Sequence, residues 1–276
     1  MQREAAETTG WQACLELGLE RRGPRTVAAH RRQRGPLAVQ RPFYPEGDVC
    51  HLYLLHPPGG VVGGDELDIR VHAAPGARAL VTSPGAAKFY RSAGAAAAVV
   101  QTLSVGAGAT VEWLPQDSIA FPGARVRQMT RIELDAGAAF AGWDILSLGR
   151  PANAEPFATG SLDACLEVWR DGVPVLVDRL RVANAEDLVS PAGLRGHAVV
   201  ATLVATPATA DDAQRLRALA LAGRAELGVT LLDGLLVARL LADDTAVAKA
   251  AWRLAWEMLR PGFAGRPACP PRIWAT

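Results

Sequence analysis

The chain has 276 residues, half of them hydrophobic, and a formal net charge of +1. That length holds one large domain or two ordinary ones with a substantial core, so disorder is not the default. The near-neutral balance gives no bulk electrostatic reason to expect a nucleic acid or another strongly anionic partner.

The opening residues, MQREAAETTG, carry acids and no apolar leader core, and no later stretch offers about twenty uninterrupted apolar residues. No membrane span is expected, and a cytoplasmic setting fits best. Six arginines between Arg21 and Arg34 are the local exception in charge. They fall on a predicted strand pair with few aromatics interleaved, which reads as a solvated sheet face, with a partner-binding patch as the alternative.

The stretch Arg41 to Asp65, RPFYPEGDVCHLYLLHPPGGVVGGD, packs turns around one strand. Tyr44-Pro45-Glu46-Gly47 is a turn, because Pro fixes φ and Gly accepts a positive φ. Val49 to His56 is the strand, and Pro57-Pro58-Gly59-Gly60 cannot continue it. After Gly63-Gly64-Asp65 a second strand runs from Glu66 to Ala73, with Leu67, Ile69 and Val71 on one face. From Trp11 to about Thr206, short alternating runs broken by Gly, Pro or Asn predict an all-β architecture. The clearest strands are 77–82, 96–105, 109–113, 126–134, 139–148, 162–170, 175–182 and 197–206. Periodicity leaves sandwich, barrel and β-helix open.

Two elements break this pattern. Asp211-Asp212 predicts the cap of a helix running to about Leu227. Residues 228–232 and 235–241 flank Asp233-Gly234, a type I′ hairpin signal. Asp243 and Asp244 then precede a helix from about Thr245 to Arg260, stopped by Pro261-Gly262. Its tryptophans, Trp252 and Trp256, read as core, with a docking face as the alternative.

Cys14, Cys50, Cys165 and Cys269 form no Cys-x-x-Cys pair, so neither a zinc ribbon nor a disulfide framework is implied. The glycine-rich segments lack the Lys-Ser/Thr of a phosphate loop, and no Gly-x-Ser-x-Gly elbow is present. On a strand, His51 and His56 face opposite sides, and Cys50 and His56 are roughly 20 Å apart at about 3.3 Å per residue, so these cannot chelate one ion locally. His30, His72 and His197 are isolated in sequence. What remains is carboxylates beside turns: Glu46, Asp65, Asp144 and Asp178 are candidates for partial burial, either capping turns or lining a hydrated path that holds a divalent cation weakly.

HPPGGVVGGD, TSPGAAKFYRS (Thr82 to Ser92), VEWLPQDSIAFPGA (Val111 to Ala124), GWDILSLGRPA (Gly142 to Ala152), FATG and the terminal RPACPPRIWAT occur in order along nearly the whole chain. Together they resemble the UreD (UreH) family of urease accessory proteins. The resemblance implies one UreD-type domain over 1–276, mainly β, a β-helix-like coiled arrangement of many short strands with two α-helices near the C-terminus. It also implies a non-enzymatic scaffold that binds urease apoprotein and UreF, with the GTPase UreG held through UreF. Such a scaffold helps deliver Ni²⁺ to urease; Ni²⁺ would be in transit, with no tightly bound cofactor. In that reading Glu46, Asp65, Asp144 and Asp178 mark the nickel path. The alternative from another class is a β-helical enzyme acting on a polymer, with Asp65 and Asp144 as acid and base. A metal-storage protein is a third, and it requires a tight site that scattered histidines do not suggest.

Overall fold

The computed structural model describes residues 10–275. In chain order the first strands are β1 (Gln12–Arg22), β2 (Arg25–Arg34), β3 (Ala38–Val39), β4 (Cys50–Leu55), β5 (Glu66–Ala73), β6 (Arg78–Thr82), β7 (Ala87–Phe89) and β8 (Ala97–Val105). They are followed by β9 (Thr110–Leu114), β10 (Ser118–Ala120), β11 (Arg125–Leu134), β12 (Ala139–Arg150), β13 (Glu155–Pro156), β14 (Ser161–Arg170) and β15 (Val173–Val182). The last part holds α1 (Ala185–Val189), β16 (Val199–Thr206), α2 (Ala210–Arg217), β17 (Ala225–Leu232), β18 (Leu235–Ala242) and α3 (Thr245–Ala264).

The chain coils. β4, β6, β9 and β12 stack in parallel in one sheet, and β5, β8, β11 and β14 stack in parallel in another. Each turn of the coil places one strand in each sheet, and the short β7 and β10 form a third side, extended by a bridge between Val61 and Phe89. The molecule is therefore mainly β and solenoid-like, as the family resemblance implies. The first sheet runs β15-β14-β11-β8-β5-β1-β2, and the second runs β17-β18-β16-β12-β9-β6-β4-β3. Antiparallel strands close both stacks: β2 and β15 edge the first sheet, while β16, β18 and β17 extend the second.

Alternation along each strand divides the side chains between layers. The inward residues of both sheets, such as Leu15, Leu17, Leu52, Ile69, Leu103, Ile132 and Val168, form one core. Outward residues of β12, β16 and β18, including Trp143, Leu203 and Leu240, form a second core beneath α2 and α3. α3 begins on Asp244, whose carboxylate accepts the Ala246 amide at 2.8 Å. It buries Ala248, Ala251, Trp252, Ala255, Trp256, Leu259 and Phe263, the stripe expected of a helix lying on a sheet. Trp252 and Trp256 are thus core residues, fully buried.

Three boundaries differ from the sequence reading. α3 does not stop at Pro261 but runs to Ala264 and closes on Gly265 at φ 68°. A proline in the last turn removes only one helical amide, and burial of Phe263 in the second core holds that turn. α2 ends at Arg217, well before Leu227, because residues 225–232 pair with β18. Its cap is Thr209, with Asp212 completing the capping box. α1, a five-residue helix capped by Asn184, is too short to register as periodicity. Asp233 and Gly234 both have positive φ (46° and 74°), as a type I′ hairpin requires. Among the described residues, no helix is long and apolar enough to cross a membrane.

Candidate functional site

The four carboxylates singled out by sequence fall in three different environments. Asp65 closes the Gly63-Gly64 turn. Gly63 lies so close to Ser92 and Ala95 that a Cβ would collide, and Gly64 has φ 94°, which together explain the glycine pair. The Asp65 side chain is buried, and its two oxygens accept the Trp11 and Val62 amides at 2.8 and 2.9 Å. Both oxygens are occupied by the fold. Replacing Asp65 by Ala strands two amides, so Asp65→Ala is expected to lose about 1–3 kcal/mol of stability. A melting temperature equal to that of the parent chain would instead return Asp65 to the free carboxylates.

Glu46 belongs to a buried ion cluster. Its Oε1 accepts from His51 Nε2 at 2.7 Å and from Arg260 at 2.8 Å, and its Oε2 accepts from Arg260 at 2.7 Å. Arg260, fully buried near the end of α3, also grips Glu112 of β9 through two 2.9 Å bonds, and Trp256 Nε1 donates to the same carboxylate at 2.6 Å. Burial raises the Glu46 pKa, but the hydrogen bonds from His51 and Arg260 outweigh it and hold the carboxyl at about 2. Beside this cluster the chain's final strap is tied down by Arg266 to Asp48 at 2.7 Å and by Trp274 Nε1 to Thr82 at 2.9 Å. The turn that carries Glu46 and residues 266–275 are thus parts of one clamp. Glu46 is fully engaged in it.

Asp144 and Asp178 do come together, in a cavity of about 510 Å³ between the two sheets. It lies where β14 and β15 face β12, β16, β18 and β17, with residues 192–195 along its rim. Alternation sets its chemistry. On β12, Trp143 and Ile145 point to the helix side, so Asp144 points between the sheets. Register then places Thr202 beside Asp144 and Arg239 beside Thr202. Two polar bridges span the gap from the first sheet: Gln128 Nε2 donates to Asp144 Oδ2 at 2.5 Å, and Asp178 accepts from Arg239 Nε at 3.0 Å.

The two bridges are electrostatically unlike. Asp178 meets a guanidinium, and Glu226 at the rim pairs with Arg195. Among the described residues Asp144 has only a neutral amide as its side-chain partner, and burial outweighs that hydrogen bond and the Ile145 amide, pushing its pKa up to about 6. It makes no salt bridge among those residues, and it lines the cavity of about 510 Å³. Asp65 lies outside this cavity, so the acid–base pair of Asp65 with Asp144 is not assembled.

Histidines and cysteines do not complete a chelate: among the described residues no group of three or more His, Cys, Asp and Glu is placed to hold a metal ion. His197 Nδ1 bonds Asp243 at 2.8 Å. Cys50 is buried against Tyr44, and that burial pushes its thiol up to about 11. Sequence reasoning missed Glu112, Arg260, Gln128 and Arg239. A signal for Gln128 exists, since it occupies an inward phase of β11 together with Val126 and Ile132.

The motifs have counterparts in known sequences. The sequence matches the UreD urease accessory protein family over residues 12–275. It is 48% identical over 268 residues to urease accessory protein UreD of Klebsiella aerogenes, covering 97% of each chain. It is 47% identical over 273 residues to the protein of that name from Alcanivorax borkumensis, covering 97% of this chain and 93% of that one. A Pseudomonas putida relative with the same name is 45% identical over 273 residues, covering 99% and 97%. With motifs, coil and full-length similarity in agreement, the chain belongs to the UreD family of urease accessory proteins.

Proposed function

We propose that this chain is a non-enzymatic scaffold of urease maturation that passes Ni²⁺ to the urease apoprotein through the cavity between its two sheets. Membership of the UreD family supports the maturation role. The observation that carries the passage is Asp144: a carboxylate without a counter-ion, lining a cavity of about 510 Å³. A hard oxygen ligand with no chelating neighbours binds a divalent cation weakly, which suits release better than storage. Asp178 adds charge to the same cavity from the opposite sheet, although Arg239 competes for it. Glu46 and Asp65 stay outside the path, since the clamp and the turn occupy their oxygens.

The family resemblance further supports a cytoplasmic complex with UreF and, through UreF, UreG. Nucleotide hydrolysis would then reside in UreG. The test is complementation: a urease operon lacking its own UreD, with this chain supplied in trans, and purified urease assayed for activity and for nickel by mass spectrometry. Both rise only with the chain present if the reading holds. If the chain is expressed and associates with UreF yet neither rises, the maturation role is wrong.

A further inference from the structure

The cavity carboxylates differ in what holds them. Asp178 is held by Arg239 and Glu226 by Arg195, both cations, whereas Asp144 is held by the amide of Gln128 across the gap between the sheets. Gln128 is 5% exposed, between Val99 and Ala164 in the register of the first sheet. Its environment is costly for an amide, and a leucine there would continue the inward alternation of Val126 and Ile132. The next inward position on β11 is also polar: Thr130 donates to Gln101 Oε1 at 3.1 Å.

We propose that Gln128 is the positioning residue for Asp144, orienting this carboxylate toward the cavity without neutralising it, so that it takes and releases a divalent cation. The inference rests on the passage reading above and adds a residue that the reading does not need. A cationic partner at this position would cancel the charge and repel Ni²⁺, as Arg239 does at Asp178. An apolar partner would leave the carboxylate free to turn away. A primary amide fixes one oxygen and leaves the charge.

The test uses two substitutions with opposite consequences. Gln128→Leu removes the donor at similar volume, and loss of an outer partner is expected to weaken Ni²⁺ binding to the purified chain about tenfold. Gln128→Glu sets a second carboxylate against Asp144, and the added ligand charge is expected to tighten Ni²⁺ about tenfold. Binding is read by equilibrium dialysis against Ni²⁺ alone, folding by thermal melting, and delivery by the nickel content of urease in complemented cells. Delivery should fall in both variants, in the first because the cation is not captured and in the second because it is not released. A merely structural role would lower melting temperature and delivery without moving affinity in opposite directions, and that result overturns the proposal. Asp144→Asn separates the two levels. If it abolishes binding while both Gln128 variants bind as the parent does, this inference alone fails; if Asp144→Asn changes neither binding nor delivery, the passage reading fails and takes this one with it.

Discussion

Arg260→Met is expected to destabilise the chain by about 3–5 kcal/mol, because it leaves two buried carboxylates without their counter-ion. Arg260 is fully enclosed, and its guanidinium reaches Glu46, Glu112 and the Pro267 carbonyl, so all three of its nitrogens are engaged. For a chain of this size that loss corresponds to a fall of roughly 10 °C in Tm. The penalty arises from stranding charge more than from losing attraction, so combining Arg260→Met with Glu46→Gln and Glu112→Gln should recover much of it. Glu46 also gives the effect a pH signature. Its folded pKa of about 2 lies below the ordinary 4.5, so its stabilising contribution is present above pH 4.5 and is lost as the pH falls through about 2. The gap between Arg260→Met and the parent should therefore be widest above pH 4.5 and narrow on acidification, as followed by urea unfolding at a series of pH values. A gap independent of pH would mean that the cluster acts through packing alone.

How much of this was legible in the sequence depended on the range of the interaction. Strand positions were legible because alternation is local: Leu67, Ile69 and Val71 announce β5, and Asp233-Gly234 announces its hairpin without knowledge of any neighbour. The coil was not readable from periodicity, since sandwich and solenoid strands alternate alike; the motif resemblance supplied it. The helix ends were misread for a related reason. Pro261 is a stop signal locally, but the burial of Phe263 and the Arg260 cluster beneath it override that signal. Among the carboxylates, sequence marked four residues beside turns and could not separate those whose oxygens the fold consumes. Glu46 meets a guanidinium 214 residues away, and Asp65 meets an amide 54 residues away. Asp144, grouped with carboxylates beside turns, lies in the middle of β12. Its distinction, the lack of a cation, depends on Gln128 and Arg239 lying across two sheets.

Asp144→Asn is expected to reduce nickel delivered to urease at least tenfold, on the order of what lost metal-site groups cost, while leaving the fold no less stable. Asparagine keeps the shape, and its carbonyl oxygen can still accept from Gln128; only the charge is removed. The parent carboxyl has its pKa raised from 3.8 to about 6 by burial, so the fold favours the neutral form. Its favourable contribution is therefore present below pH 3.8 and lost as the pH rises through about 6. The Asn variant should match the parent below pH 3.8 and be more stable above pH 6, by about 1–3 kcal/mol at about 1.4 kcal/mol per pKa unit, and so melt higher there. Stability and delivery are thus predicted to move in opposite directions at neutral pH. Melting temperatures at about pH 3.5 and about pH 8, on either side of the window from 3.8 to about 6, beside the nickel content of urease from complemented cells, check both together. A variant that delivers nickel normally would show that the uncompensated charge serves no passage. One that loses delivery only in proportion to a lower melting temperature would show that Asp144 supports the fold and not the cargo. A more stable chain that no longer loads urease is the outcome that ties the cost of this buried charge to its use.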